Sequence, residues 1–157
     1  MATETGSGTR TDASRSDLTA GALGGVAGGL VMGGLIVAMN AATIAVAIPS
    51  LYGLAPPPNV PVGMAVHVFH GAVLWVVFAW LAGARAVAST GRLLGIGLLW
   101  GVATWFALAG LLMPVWLAAV GSPASPPFPN FAPPSLLWHL VYGLVLGGVF
   151  AATRHRL

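Results

Sequence analysis

Cysteine and lysine are absent from the 157 residues, and only 6% of the chain is charged. The missing cysteine excludes disulfides and thiolate metal sites, and the missing lysine excludes Schiff-base chemistry. Acids are scarcer still, since Glu4, Asp12 and Asp17 are the whole set and all lie at the start of the chain. Without a carboxylate further along, there is no acid pair for hydrolysis, no group to orient a histidine base for a serine nucleophile, and no acidic metal cluster. GxSxG, HExxH and phosphate-loop signatures are missing too. The net charge of +3 comes from six scattered arginines with no basic patch, which excludes a nucleic-acid surface.

What fills the chain instead is apolar: 57% of residues are hydrophobic and the mean hydropathy is +0.91. Soluble domains carry roughly a quarter charged residues. No charge occurs from Leu18 to Ala84 or from Leu93 to Thr153. A span needs about 20 residues, so each stretch holds two, divided by the Pro/Gly-rich segments 49–61 and 121–134. The expected fold is all-α, an integral membrane four-helix bundle with helices near 19–47, 62–83, 93–118 and 135–153. Residues 1–17 read as a disordered tail, 18–84 as a first transmembrane hairpin, 85–92 as a loop, and 93–157 as a second hairpin with a short basic tail. Arg10, Arg15, Arg85, Arg92, Arg154 and Arg156 all flank the spans, and neither Pro-rich loop has one. The positive-inside rule then puts both termini and the middle loop in the cytoplasm, for a multi-pass protein of the cell membrane. The first apolar run is too long for a cleaved signal peptide.

The hairpins resemble each other. His67-Val-Phe-His70-Gly71-Ala-Val-Leu recurs 72 residues later as His139-Leu-Val-Tyr142-Gly143-Leu-Val-Leu, and Pro58-Asn59 is echoed by Pro129-Asn130. Helices 1 and 3 share a weaker echo, Gly29–Gly33 against Gly97–Gly101. Two tandem two-helix repeats of equal orientation imply a pseudo-two-fold axis along the membrane normal. Lipid gives helices no hydrophobic reason to associate, so small residues must supply close contact. Gly21, Gly25, Gly29 and Gly33 form such a ridge on helix 1, and Gly97, Gly101, Gly143 and Gly147 repeat the spacing. These serve helix packing within the chain or an interface with a partner, and the surplus of glycine on helix 1 leans toward a partner. Pro114 is expected to kink or end helix 3, Trp100 and Trp105 to face protein, and Asn40 and Thr43 to bond between helices.

His67, His70 and His139 are the ionisable groups within the spans, and Tyr142 stands where the second repeat would have a histidine. His67 and His139 fall at equal depth. They suit one of three roles: hydrogen bonds to the facing helix, ligation of haem or another metal, or contact with a polar lipid or quinone-type head group.

Ile48-Pro-Ser-Leu-Tyr52-Gly-Leu, His67-Val-Phe-His70-Gly71, Met113-Pro-Val-Trp116-Leu-Ala-Ala-Val-Gly121, and Pro129-Asn-Phe131 with Ser135-Leu-Leu-Trp-His139-Leu-Val-Tyr142-Gly143 resemble a family of small four-span membrane proteins of haloarchaea. The resemblance covers nearly everything beyond the tail. It implies the topology above and an association with haem-copper terminal oxidases, and supplies no catalytic residue. Members often carry a histidine-kinase label, to which this sequence gives no support. The leading expectation is a non-catalytic accessory or assembly subunit of a larger membrane complex, most plausibly a respiratory terminal oxidase. The alternatives are a redox protein with haem between His67 and His139, and an uncoupled channel or transporter for a small neutral solute. Partners expected are the lipid bilayer and either a larger complex or a homo-oligomer.

Overall fold

The computed structural model describes residues 8–83, 89–154 and 156, with side chains described from residue 17 and not for 80–83. Arg85 and the middle of its loop lie outside the described residues, as does the Trp80 side chain. Among the described residues the chain is all-helical, and four helices are long and apolar enough to cross a membrane: Asp17–Ser50, Val60–Ala79, Thr90–Ala119 and Pro133–Thr153. These spans agree with the expected ones to within a few residues.

Helix α1 runs over Gly8–Ala42, continues as a π-helical segment over Thr43–Ala47, and finishes with an α-turn at Ile48–Ser50. It starts inside the segment expected to be a structureless tail, because the span's helix continues outward beyond its apolar run. Helix α2 is Val60–Gly83. Helix α3 comprises Thr90–Thr104, a π-helical stretch Trp105–Leu112 and a last α segment Met113–Ala119. Helix α4 is Pro133–Thr153.

The two π-helical segments have one cause. Proline lacks an N–H and its ring crowds the carbonyl four residues back. Pro49 and Pro114 each stand two residues beyond the end of a π-helical segment, and the carbonyls four residues back that lose a donor are those of Ala45 and Gly110. Both are recovered by the loops. The Asn59 N–H donates to the Ala45 carbonyl at 2.8 Å, and the Asn130 N–H donates to the Gly110 carbonyl at 2.9 Å. The two echoed asparagines thus do the same work in the two hairpins. Asn59 also caps α2, its Oδ1 accepting from the Val62 N–H at 3.0 Å. Pro114, expected to kink or end its helix, thus has a more specific effect: it frees a carbonyl that ties helix to loop.

Both α1 and α3 end in the same glycine turn. Gly53 and Gly121 each have φ of +69°. Their N–H groups donate to the carbonyls of Ser50 and Ala118, while the next residues, Leu54 and Ser122, reach back to Pro49 and Leu117. This is the Schellman arrangement, which needs a left-handed residue. A Gly121→Ala substitution is expected to cost about 1 kcal/mol, read as a lowered thermal midpoint in detergent with no change in helix content.

Helix α1 packs against both α2 and α4, and α4 packs against α3. The glycines fix these contacts. A Cβ on Gly25 would lie 2.6 Å from the Gly71 carbonyl oxygen, and one on Gly97 would collide with the Gly143 carbonyl. The pairs Gly21/Trp75, Gly25/Gly71 and Gly29/Val68 between α1 and α2 recur as Leu93/Gly147, Gly97/Gly143 and Gly101/Leu140 between α3 and α4, each 72 positions on. By their contacts Gly25 and Gly29, not Gly29 and Gly33, are the equivalents of Gly97 and Gly101, one turn away from the sequence echo. Phe78 and Phe150, also 72 apart, meet edge to face at 5.8 Å.

One contact does not recur. Gly24 and Gly28 admit Leu146 and Tyr142 of α4 to α1. The counterpart would join α3 to α2, yet those two helices scarcely touch among the described residues. The positions on α3 that correspond to Gly24 and Gly28 hold Ile96 and Trp100. That face of α3 therefore lacks the glycine notches that admit α4 to α1. The arrangement is a row of four helices, α2, α1, α4, α3, curled toward closure and left open between its ends.

Candidate functional site

The opening between α2 and α3 leads into a cavity of about 740 Å³ in the half of the bundle that carries the Pro-rich loops. Phe69 and Val73 of α2, with Leu112 and Trp116 of α3, line the cavity and are also exposed, so the mouth lies between these helices on the lipid-facing side. The other half of the bundle is filled. Phe78, Leu93, Leu146 and Phe150 are almost wholly buried there.

His67, His70, His139 and Tyr142 all line this one cavity. On α2, His67 is about 10 Å below the loop end at 1.5 Å rise per residue. The Gly33 notch on α1 lets its ring in, for a Cβ on Gly33 would stand 3.1 Å from the His67 Cδ2. His67 is 8% exposed and its Nε2 is buried without a hydrogen-bond partner. An unpaired buried nitrogen costs on the order of 1–3 kcal/mol, so it marks a place where a polar atom of a ligand would be favoured. His70 follows His67 by three residues on α2, and His139 stands on α4 across the same cavity.

The other polar groups are mostly satisfied. His70 Nε2 pairs with the Tyr52 hydroxyl at 2.7 Å, a contact between the first loop and α2. His139 Nδ1 bonds the Ser135 carbonyl at 2.7 Å. Tyr142 donates its hydroxyl proton to the Gly71 carbonyl at 3.0 Å, locking α4 to α2 beneath the cavity. Thr104 donates back to carbonyls of its own helix, Trp100 and Gly101. Ser135 accepts the Trp105 indole N–H at 3.0 Å and donates to the Ala132 carbonyl. Trp138 is buried with its N–H on the Met39 sulfur, and Trp116 donates to the Leu51 carbonyl, joining the two loop ends. Asn40 and Thr43 line the cavity near the kink at Asn40, where sequence suggested bonds between helices. Trp100 and Trp105 lie against protein, although the buried Trp100 Nε1 makes no hydrogen bond.

Among the described residues no arginine, aspartate or glutamate lines the cavity. Among the described residues no three histidines or acids cluster to hold a metal ion. The four glycines of the α1 ridge are spent inside the chain: Gly21, Gly25, Gly29 and Gly33 all face α2, and Gly97, Gly101, Gly143 and Gly147 join α3 to α4. Sequence reasoning missed Tyr52 and Thr104 as neighbours of the histidines, and nothing in their local sequence signals it. The link of Asn59 and Asn130 to the prolines was open to discovery, since proline and asparagine recur together in both hairpins.

Residues 15–157 match the model of a family of unknown function, DUF6789, and the chain belongs to that family. No curated protein and no solved structure matches it.

Proposed function

We propose that this protein is a membrane-embedded binding protein for an uncharged, lipid-soluble small molecule, held in the cleft between α2 and α3 with its polar end at the histidines. The supporting observation is the lining: a cavity of about 740 Å³ that opens toward lipid, has no ionised side chain, and holds a buried imidazole nitrogen with no partner. Ion-coupled transport calls for charged groups in the membrane, and a pore calls for a polar path where Phe78 and Phe150 fill the bundle. Haem between His67 and His139 would set its carboxylates in a lining without a cation to meet them. The accessory-subunit reading drew on the glycine ridge, and the ridge faces α2.

Protein purified in gentle detergent and extracted with organic solvent is expected to yield one apolar small molecule at near-stoichiometric amount by mass spectrometry. Leu74→Trp, which fills the cavity from α2, is expected to lower that yield at least tenfold while the helices persist. An extract that matches bulk lipid and is unchanged by Leu74→Trp would overturn the reading. Co-purification of a large complex with such an extract would return the assignment to an accessory subunit, a respiratory terminal oxidase being the expected partner.

A further inference from the structure

The hydrogen bonds already made inside the cavity dictate what the polar end of a ligand must offer. A main-chain carbonyl only accepts, so the 2.7 Å contact between the Ser135 carbonyl and His139 Nδ1 requires the proton on Nδ1. Among the described residues no carboxylate lines the cavity to balance a second proton on the ring, so Nε2 of His139 presents a bare lone pair. That nitrogen makes no hydrogen bond. His67 is different, because neither of its ring nitrogens is committed and Nε2 is free to donate or accept. Among the other polar groups of the lining, Tyr52 is engaged with His70, Tyr142 with Gly71, Thr104 with its own helix and Ser135 with Trp105, while Asn40, Thr43 and Asn130 add polar side chains elsewhere on the wall.

A ketone, ester or ether oxygen carries no proton and would leave the His139 lone pair unmet. A hydroxyl donates to one imidazole and pairs with the other through the same oxygen. The mouth adds the second requirement, because Phe69, Val73 and Leu112 flank it with apolar surface turned to lipid. Resting on the binding reading above, we infer that the ligand is an alcohol or phenol on a long apolar chain, its hydroxyl donating to His139 Nε2 and pairing with His67 Nε2, its chain leaving between α2 and α3.

The test compares geranylgeraniol with its methyl ether, two molecules that differ at the proton in question, against the full chain in phosphatidylcholine nanodiscs. Binding is followed through the fluorescence of Trp138 and Trp116, which line the cavity. The alcohol is expected to bind about tenfold more tightly, the worth of one buried hydrogen bond. His139→Phe is expected to erase that preference and leave the affinity for the ether nearly unchanged. In the wild-type chain, ¹⁵N NMR of the imidazoles is expected to move the His139 Nε2 resonance with the alcohol and not with the ether, a reading independent of how the variant folds. Equal binding of both probes with no ¹⁵N shift overturns the hydroxyl assignment and leaves the binding function standing. Binding of neither probe, together with a solvent extract that matches bulk lipid, overturns both.

Discussion

Gly143→Leu is expected to pull the second hairpin apart. A Cβ at Gly143 would sit on the Gly97 carbonyl and 3.2 Å from the Gly101 backbone nitrogen. Both obstacles are main chain, so no rotamer change on α3 relieves the clash and the helices must separate along their length. In water a separated pair would recover part of its stability through apolar burial elsewhere. In lipid that compensation is lacking, and helix association rests on close packing. A loss of about 3 kcal/mol is expected, at the upper end for overpacked contacts, measured as unfolding in mixed micelles by SDS. Gly34→Leu is the control, since nothing stands within 4 Å of the Cβ it would add. That variant is expected to stay within about 0.5 kcal/mol of the parent. Equal losses at the two positions would mean that the glycines act through helix propensity rather than contact.

The same glycines show what the sequence could and could not convey. Span number and limits were legible, because charge-free length and proline placement are one-dimensional properties. The equal depth of His67 and His139, with His70 one turn from His67, followed from helix rise and the repeat. Register did not follow. A ridge with glycine at every fourth position, Gly21, Gly25, Gly29 and Gly33, looks the same after a shift of one turn, so the echo of Gly29–Gly33 in Gly97–Gly101 was as good a match as the true pairing. Nor did the direction of the ridge follow, because a small-residue face suits a partner chain as well as α2. The cavity itself was hidden for another reason. It lies where the counterpart of the α1–α4 contact is nearly missing, and a reading built on the likeness of the hairpins expects that contact to have a twin.

That missing contact yields the second large effect. Ile96 and Trp100 take the positions that on α1 are Gly24 and Gly28, where α4 approaches closely enough for Tyr142 and Leu146 to touch the α1 backbone. Replacing both, as Ile96→Gly with Trp100→Gly, gives α3 the same smooth face that α1 offers to α4. His70 and Leu74 of α2, the counterparts of Tyr142 and Leu146, then have a surface to settle on, and the row of helices closes into a ring. Closure removes the cavity, so the double variant is expected to lose bound small molecule at least tenfold. The chain has no native cysteine, which makes the movement measurable on a clean background. Val73→Cys on α2 and Leu108→Cys on α3 stand on opposite walls of the cleft. They are expected to form a disulfide readily in the Ile96→Gly, Trp100→Gly background and poorly with the native pair in place. A double variant that still unfolds cooperatively, binds ligand as before and cross-links no faster would show that bulk at these two positions is not what holds α2 from α3. Trp100 is the larger of the two side chains and lies partly buried against the core, so its removal is the bigger part of the change. Ligand loss and faster cross-linking appearing together in the double variant would assign the cleft to two side chains on one helix.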